Sequence, residues 1–209
     1  VLAVSALDFD LSVFDIFGML SVGGSLVLVD EDERRDARRW RQLVREHGVT
    51  VWNSVPALLD MLLTTCPSRD ELRSLRVALL SGDWIGLDLP GRLSAQSSRC
   101  RFVALGGATE AAVWSNFHEV DVIGDDWRSV PYGVPLANQR FRVVDAEGRD
   151  CPGWVPGELW SGGAGVAQGY RHAPEITARR FVVHEGQRWY RTGDLGRYRP
   201  EGLLEFLGR

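Results

Sequence analysis

Short apolar runs alternate with helix-period runs through the first half of the chain. Runs rich in Val, Leu and aromatic residues predict buried strands at Val1–Ala6, Ser25–Asp30, Val49–Asn53, Leu75–Ser81 and Arg101–Leu105. Between these strands, Glu33–His47 has apolar residues at helical spacing, and Pro56 with Ala57–Leu63 is typical of a helix start. This alternation predicts a mostly parallel, helix-covered sheet whose ligands bind beyond the carboxyl ends of the strands.

Glycine and proline become frequent after about Val120, and the apolar runs between them are short. These runs predict strands at Gln139–Val144, Gly157–Ser161, Arg188–Thr192 and Leu203–Leu207. Only Pro174–Phe181 has a helical pattern. We therefore predict an α/β fold, with a parallel part over residues 1–125 and a small antiparallel β-barrel-like subdomain over residues 126–209.

Composition narrows the class of protein. The 209 residues are 44% hydrophobic and 25% charged with a net charge of −4, which argues against disorder and gives no electrostatic reason to expect nucleic acid. No run approaches the roughly 18 apolar residues of a membrane span. The odd cysteine count favours a reducing, cytoplasmic location over a disulfide framework. The four histidines lack metal-ligand spacing, and the arginines between 34 and 45 are interpreted as a solvated helix face.

Two local patterns in the first half suggest ligand contacts. Asp10 lies where the stretch Phe9–Asp15 passes from strand to helix, so it either caps the helix or lines the crevice as a carboxylate for a cationic group. In Leu105–Ala112 a strand leads into a glycine turn that carries Thr109 and Glu110. That turn is either an ordinary helix start or a phosphate and Mg²⁺ site.

Two further patterns lie in the second half. The glycine-rich stretch Gly157–Tyr170 is explained equally well by a turn of a barrel. In Tyr190–Leu195, Asp194 follows a strand, where it could accept hydrogen bonds from a ribose diol or close a turn. Each pattern is ambiguous alone.

Taken together and in order, the four patterns resemble the conserved cores of the adenylation domains of nonribosomal peptide synthetases, in the adenylate-forming superfamily. Phe9–Ser12 resembles the Phe-Asp-x-Ser core, and Gly106–Glu110 resembles the Tyr-Gly-Pro-Thr-Glu core. Gly157–Tyr170 and Tyr190–Leu195 resemble the next two cores, and Phe206–Arg209 matches the start of the one that leads into an interdomain hinge.

The resemblance implies formation of an aminoacyl-adenylate from Mg·ATP and an amino acid, followed by loading of a carrier-protein phosphopantetheine thiol. It implies partner carrier, condensation or cyclisation domains in the parent protein, and no nucleic acid or membrane. It implies ATP contacts at Gly82, Asp83, Gly106, Gly107, Thr109, Asp194, Phe206 and Arg209. It also implies that Glu110 binds Mg²⁺ and that Asp10 pairs with the α-ammonium group of the substrate.

The amino-acid pocket is also carried over by resemblance. Its positions are Asp10, Leu11, Phe14, Asn53, Leu79, Ser81, Leu105, Val113 and Trp114. This set has one carboxylate, two small polar groups and an apolar wall, and it resembles the cysteine-selecting pattern, with Phe14 and Val113 where tyrosine and isoleucine are common. The stretch Gly106–Ser115 also resembles modules that feed heterocycle-forming cyclisation domains. We expect cysteine as the substrate, with serine or an α-methyl relative second.

Two departures from the family pattern change what we expect of adenine binding and of catalytic activity. Gly106 stands where an aromatic residue usually stacks on adenine, so another ring or a backbone face has to replace it. The phosphate-binding loop should precede Val1, and the lid with its catalytic lysine should follow Arg209. We therefore expect no substrate-dependent pyrophosphate exchange from these 209 residues alone.

Three other functions remain open from the sequence. An acyl- or aryl-CoA ligase of the same superfamily would have no use for the carboxylate of Asp10. A non-catalytic scaffold would bind only a ligand or a neighbouring domain, although Thr109, Glu110 and Asp194 argue against degeneracy. A dinucleotide-dependent oxidoreductase is the most distant alternative, because no Gly-x-Gly-x-x-Gly follows the first strand.

Overall fold

The computed structural model describes residues 1–209, which divide into two units. The first unit contains residues 1–104 and 119–130, and the second contains residues 105–118 and 131–209. The α/β class is confirmed, with parallel strand pairing in the first unit and an antiparallel sheet in the second.

Parallel strands organise the first unit. Its strands are β1 (Leu2–Ala3), β2 (Val27–Leu28), β3 (Val51–Ser54), β4 (Val77–Leu80) and β5 (Arg101–Gly106), of which the last two residues belong to the second unit. β1 pairs with β2, and β3, β4 and β5 pair in that order. Asn53 lies opposite Leu79, and Leu79 lies opposite Val103. The carboxyl ends of β3 and β4 therefore meet at one edge, where α/β sheets bind ligands.

Helices in the first unit bury an apolar core. They are α1 (Leu11–Val13), α2 (Ala37–Glu46), α3 (Pro56–Thr64) and α4 (Leu89–Gln96), and a wider helical turn at Phe14–Gly18 follows α1 directly. Trp40 of α2 and Trp52 of β3 are almost fully buried, with ring centroids 6.3 Å apart. Burying an aliphatic side chain such as Leu59 or Leu93 contributes about 1.5–3 kcal/mol.

Several predicted boundaries in the first unit are wrong, including the strand predicted over Ser25–Asp30, which is confined to Val27–Leu28. The helix predicted from Glu33 begins at Ala37, because the carboxylate of Asp36 accepts hydrogen bonds from the backbone N–H groups of Arg38 and Arg39 and caps it there. The strand predicted over Val1–Ala6 is confined to β1, because β2 pairs with only two of its residues.

An antiparallel sheet dominates the second unit. The remaining strands are β6 (Asn116–Glu119, of which Glu119 belongs to the first unit), β7 (Val134–Pro135), β8 (Gln139–Val144), β9 (Gly157–Gly163), β10 (Phe181–His184), β11 (Gln187–Tyr198) and β12 (Leu204–Gly208). β10, β11, β9 and β8 are neighbours in that order, and β12 also pairs with β11. The single helix α5 (Pro174–Arg180) precedes β10, so the helix predicted to Phe181 ends one residue earlier.

A register shift interrupts the long strand β11. Arg191 lies opposite Trp160 of β9, and the next partners are Leu195 and Glu158. The intervening residues leave the ladder, and Gly193 has φ +76°, a backbone conformation that favours glycine. Asp194 is therefore presented on a bulge within an otherwise regular strand.

Two negative findings apply to the whole chain. None of its helices combines the length and the apolar character that a bilayer crossing requires. Cys66, Cys100 and Cys151 are all unpaired and partly buried.

Candidate functional site

Asp10 is the N-cap residue of α1, and its side chain makes no capping hydrogen bond to that helix. Only its backbone carbonyl takes part, accepting from the N–H of Val13 at 3.0 Å. Of the two interpretations of Asp10, the structure thus offers no support for a side-chain cap. The carboxylate is half-buried on a short segment that is fixed by other groups.

Asn53 fixes that segment to the end of β3. Its Nδ2 donates to the carbonyl of Leu11 at 3.2 Å and to Oδ1 of Asp15 at 2.9 Å. The side chain is fully buried, and both its Oδ1 and Oδ2 of Asp15 have no hydrogen-bond partner. Asn53 therefore donates a hydrogen bond to a backbone carbonyl, while its own side-chain oxygen is buried without a hydrogen-bond donor.

Asp15 is the functional candidate that the sequence analysis missed. It is only 1% exposed, and burial raises the pKa of its carboxyl to about 6, against the opposing effect of the Asn53 hydrogen bond. A carboxylate inside the apolar stretch from Val13 to Phe17 is the sequence signal that could have indicated it.

Phe14, one of the predicted pocket residues, packs directly over Gly18. A Cβ atom built at Gly18 would lie 2.7 Å from Cδ2 of the Phe14 ring. Any side chain at residue 18 would therefore displace the ring. The observed position of Phe14 requires a glycine there.

The other predicted residues of the first unit lie at the ends of β4 and just after it. Leu79 is half-buried, and Ser81 is 2% exposed and donates its N–H to the carbonyl of Ser54 at 3.3 Å. Gly82 has φ +85°, and Asp83 is exposed, with Oδ1 accepting from the backbone N–H of Trp84 at 2.7 Å. The carboxylate of Asp83 thus stabilises a local turn.

In the second unit, the glycine turn after β5 requires the absence of side chains. A Cβ atom at Gly107 would lie 2.6 Å from the carbonyl oxygen of Val113. Thr109, which is exposed, then opens a single helical turn, and Glu110 in the same turn is half-buried. Close backbone approach and an exposed hydroxyl are features that suit a phosphate ligand.

Val113 and Trp114, two further predicted pocket residues, follow this turn in a strained backbone. Ala112 and Val113 have φ values of +63° and +70°, and each such residue costs about 1–3 kcal/mol. The N–H of Trp114 donates to the carbonyl of Ala112 at 2.8 Å. Both predicted residues are half-buried, whereas Leu105 at the end of β5 is 7% exposed.

Residues of the glycine-rich stretch orient Glu110. The hydroxyl of Tyr170 donates to Oε1 of Glu110 at 2.5 Å, and the N–H of Ala167 donates to the Glu110 carbonyl at 2.8 Å. The hydroxyl of Tyr190 lies 3.4 Å from that of Tyr170. Burial and the hydrogen bond to Glu110 raise the pKa of Tyr170, against a lowering effect of the Tyr190 hydroxyl, and burial also raises the pKa of Tyr190. Tyr170 therefore remains a donor at neutral pH.

The same stretch also supports the bulge that carries Asp194. Oε1 of Glu158 accepts from the N–H of Gly193 at 3.3 Å, and Oε2 pairs with the guanidinium of Arg191 at 2.9 Å. Nε of Arg209 donates to Oδ1 of Asp194 at 2.9 Å. The structure therefore brings together two of the residues that the resemblance implies as ATP contacts, Asp194 and Arg209.

The ring of Tyr132 fills the space where a side chain at residue 106 would lie. A Cβ atom at Gly106 would lie 2.9 Å from Cζ of Tyr132. Tyr132 in turn stacks on Phe206, with centroids 5.1 Å apart and planes within 5°. Gly106 therefore makes room for an aromatic pair that the sequence analysis did not associate with it.

Glu110 fits a magnesium ion as a single protein ligand. The chain has no group of three or more His, Cys, Asp or Glu side chains placed to hold a metal. Mg²⁺ commonly binds one or two carboxylates together with substrate phosphates and water. Tyr170 donates to Oε1 of Glu110, and a carboxylate oxygen can accept such a hydrogen bond while the group also binds a cation.

A wide groove of about 900 Å³ lies elsewhere in the first unit, between α2 and residues 69–74. Its lining is charged, and Arg45 in it pairs with Glu71 at 3.0 Å. None of the predicted site residues lines this groove. This agrees with a solvated outer face for the arginine-rich helix.

Comparison with known proteins identifies the family. The sequence matches the AMP-binding enzyme family over residues 1–171. It is 59% identical over 209 residues to pyochelin synthetase PchE of Pseudomonas aeruginosa (strain UCBPP-PA14), covering all of this chain and 14% of that protein. It is 51% identical over 211 residues to phenyloxazoline synthase MbtB of Mycobacterium tuberculosis, covering 15% of that protein.

A solved structure with the same fold carries an adenylate. The nonribosomal peptide synthetase FmoA3, in its α-methyl-L-serine-AMP-bound form, has 47% sequence identity and a TM-score of 0.95 over all of this chain and 24% of its own. An AMPPNP-bound form of FmoA3 superposes with a TM-score of 0.96. The chain thus spans less than a quarter of the length of these relatives.

Proposed function

We propose that this chain, which belongs to the AMP-binding enzymes and is of the nonribosomal-peptide-synthetase adenylation type, provides binding residues for the formation of an aminoacyl-adenylate. In this reaction a carboxylate oxygen of the amino acid attacks the α-phosphorus of ATP, and the bond to the β-phosphate oxygen breaks to release pyrophosphate. One observation carries the proposal. Residues of Gly157–Tyr170 hold both the Glu110 carboxylate and the bulge of Asp194, so three of the four motifs converge in the second unit.

The second unit supplies the contacts to the nucleotide in this proposal. The hydroxyl of Thr109 donates to a phosphate oxygen, and the carboxylate of Glu110 binds Mg²⁺, which when bound offsets the charge that develops on the phosphates. The carboxylate of Asp194 accepts hydrogen bonds from the ribose hydroxyls, while Arg209 holds its other oxygen. Tyr132 and Phe206 provide the rings for adenine stacking that Gly106 cannot provide.

The amino acid is bound mainly through Asp10, whose carboxylate pairs with the α-ammonium group. We propose that Leu11, Phe14, Asn53, Leu79 and Ser81 of the first unit line the pocket for its side chain. Leu105, Val113 and Trp114 are proposed as substrate contacts by resemblance alone. We propose cysteine as the substrate and serine or an α-methyl relative as the second choice. Two small polar groups on an apolar wall suit these side chains, and FmoA3 binds an α-methylserine adenylate.

The wider reaction is proposed from the relatives. The acyl group passes from the adenylate to a carrier-protein phosphopantetheine thiol, and neighbouring condensation or cyclisation domains use the product. We also propose that residues 1–125 carry the main amino-acid contacts and that residues 126–209 form the β-rich part next to a hinge.

An amino-acid panel tests this proposal. In a full-length synthetase that contains this sequence, pyrophosphate exchange is measured with the proteinogenic amino acids, α-methylserine, and a fatty and an aryl acid. We expect cysteine, serine or α-methylserine to rank first, and Asp10→Asn to raise the KM of the best substrate by about 10- to 100-fold. Asp8→Asn, which alters an exposed neighbour, is the matched control. A low rank for all three, or preference for an acid without an amino group, contradicts the proposal.

A further inference from the structure

The amide of Asn53 is oriented by two acceptors on one side. An asparagine side chain has two N–H donors and one carbonyl acceptor. Here Nδ2 is within hydrogen-bond distance of two oxygens, the carbonyl of Leu11 at 3.2 Å and Oδ1 of Asp15 at 2.9 Å. Both donors are therefore engaged within the protein, and the group that remains is the buried acceptor Oδ1.

The opposite orientation of the amide is strongly disfavoured. Rotation by 180° would place Oδ1 of Asn53 against two other acceptors and would leave two buried N–H groups without partners. Asp15 carries more of this discrimination than Leu11, because a carboxylate is a stronger acceptor than a carbonyl and lies closer. Burial raises the pKa of Asp15 to about 6, so the group is still mostly an acceptor-only anion above neutral pH.

The position of Asn53 relates this acceptor to the proposed substrate. Its amide contacts the carbonyl of Leu11, which is the residue directly after Asp10. In an amino acid, three bonds separate the α-nitrogen from a heteroatom on Cβ. If Asp10 holds the ammonium group as proposed, contact between Asn53 and the substrate requires the β-substituent to extend to the buried Oδ1 of Asn53 at the end of β3.

We propose that Asp15 is a positioning residue for substrate selection: it holds the Asn53 amide so that its one unpartnered polar atom is the acceptor Oδ1, and the site then favours a β-substituent that donates a hydrogen bond. This inference rests on the proposed function and deepens it. It names the thiol or hydroxyl proton as the recognised feature. Asp15 itself does not touch the substrate.

The test compares cysteine with its donor-free isostere 2-aminobutyrate. In the full-length synthetase, kcat/KM for the two is measured by pyrophosphate exchange for wild type, Asp15→Leu and Asp15→Asn. We expect Asp15→Leu, which removes the acceptor, to reduce the cysteine preference by about tenfold or more. Asp15→Asn keeps an acceptor oxygen of the same shape and is expected to stay within about threefold of wild type. An unchanged ratio in Asp15→Leu overturns the inference.

A second measurement needs no variant. In the full-length synthetase, NMR hydrogen exchange of the Asn53 side-chain amide is expected to be slow for both protons, since both are buried and bonded. Fast exchange of either proton overturns the inference even where Asp15→Leu fails to fold. A failure of the proposed function can be distinguished from a failure of this inference. If wild type activates none of cysteine, serine and α-methylserine, the substrate proposal is wrong, whereas slow exchange would still support the amide orientation.

Discussion

Asp15 in the first unit and Glu110 in the second are carboxylates held by neutral donors in different surroundings. Asp15 is 1% exposed and accepts from an amide, whereas Glu110 is half-buried and accepts from a phenol at 2.5 Å. A neutral donor orients a carboxylate without cancelling its charge. The buried carboxylate is bonded to its neighbour Asn53, while the half-buried carboxylate is partly accessible to a ligand.

The largest expected effect tests the second of these sites. In a full-length synthetase, Glu110→Gln removes the charge proposed to bind Mg²⁺, and we expect pyrophosphate exchange to fall by about 10²- to 10³-fold. Glu147→Gln on an exposed turn is the matched control and should leave the rate unchanged. A rate within about threefold of wild type would show that Glu110 has no role with the cation.

The next prediction concerns stability and the buried site. The folded-state pKa of Asp15, about 6, is above its unfolded value of 3.8, so the folded protein binds more protons between these values. Its free energy of unfolding should therefore fall by about 2–3 kcal/mol as the pH rises from about 4 to about 6.5. Urea denaturation across this range measures the slope.

The variant Asp15→Asn separates the contribution of Asp15 to the pH dependence of stability from that of the other titrating groups. The variant has no titrating group at this position, so its stability should show a smaller loss over the same pH range. Asp60→Asn, a change to an exposed residue that pairs with Arg92 at the surface, should retain the wild-type slope. Equal slopes in wild type and Asp15→Asn would refute the raised pKa.

The smallest effect tests how Glu110 is oriented. Tyr170→Phe removes the hydroxyl donor and keeps the ring against Phe181, whose centroid is 5.5 Å away. We expect the Mg²⁺ concentration for half-maximal exchange to rise about three- to tenfold, because one hydrogen bond to a charged group is lost. Tyr198→Phe, which loses a hydroxyl bonded to the carbonyl of Phe141, is the control and should not change it.

The sequence predicts the regular elements well where one periodicity dominates. Strand β8 has the predicted bounds, and α2 ends one residue before the predicted end. Helix α4 (Leu89–Gln96) was missed because Pro90 and Gly91 weaken its pattern. Strand β10 was missed because it follows α5 without any turn residue between them.

The parts of the candidate site that depend on long-range contacts could not be predicted from the sequence. The pairs Tyr170–Glu110 and Asn53–Asp15 are separated by 60 and 38 residues, and no local spacing encodes such contacts. The glycine-rich stretch was ambiguous for the same reason, since its role depends on bonds to Glu110 and to the bulge of Asp194. The ordered motifs indicate the family, whereas only the structure shows that Tyr170 holds Glu110 and that Asn53 holds Asp15.

The contact between Phe14 and Gly18 limits how selectivity could be engineered. Because the ring fills the space where a Gly18 side chain would lie, replacing Phe14 by a smaller apolar residue would enlarge the proposed pocket. Adding bulk at Gly18 would instead displace the ring, because a Cβ atom there would lie 2.7 Å from it. A library aimed at accepting larger amino acids should therefore vary Phe14 and keep Gly18 constant.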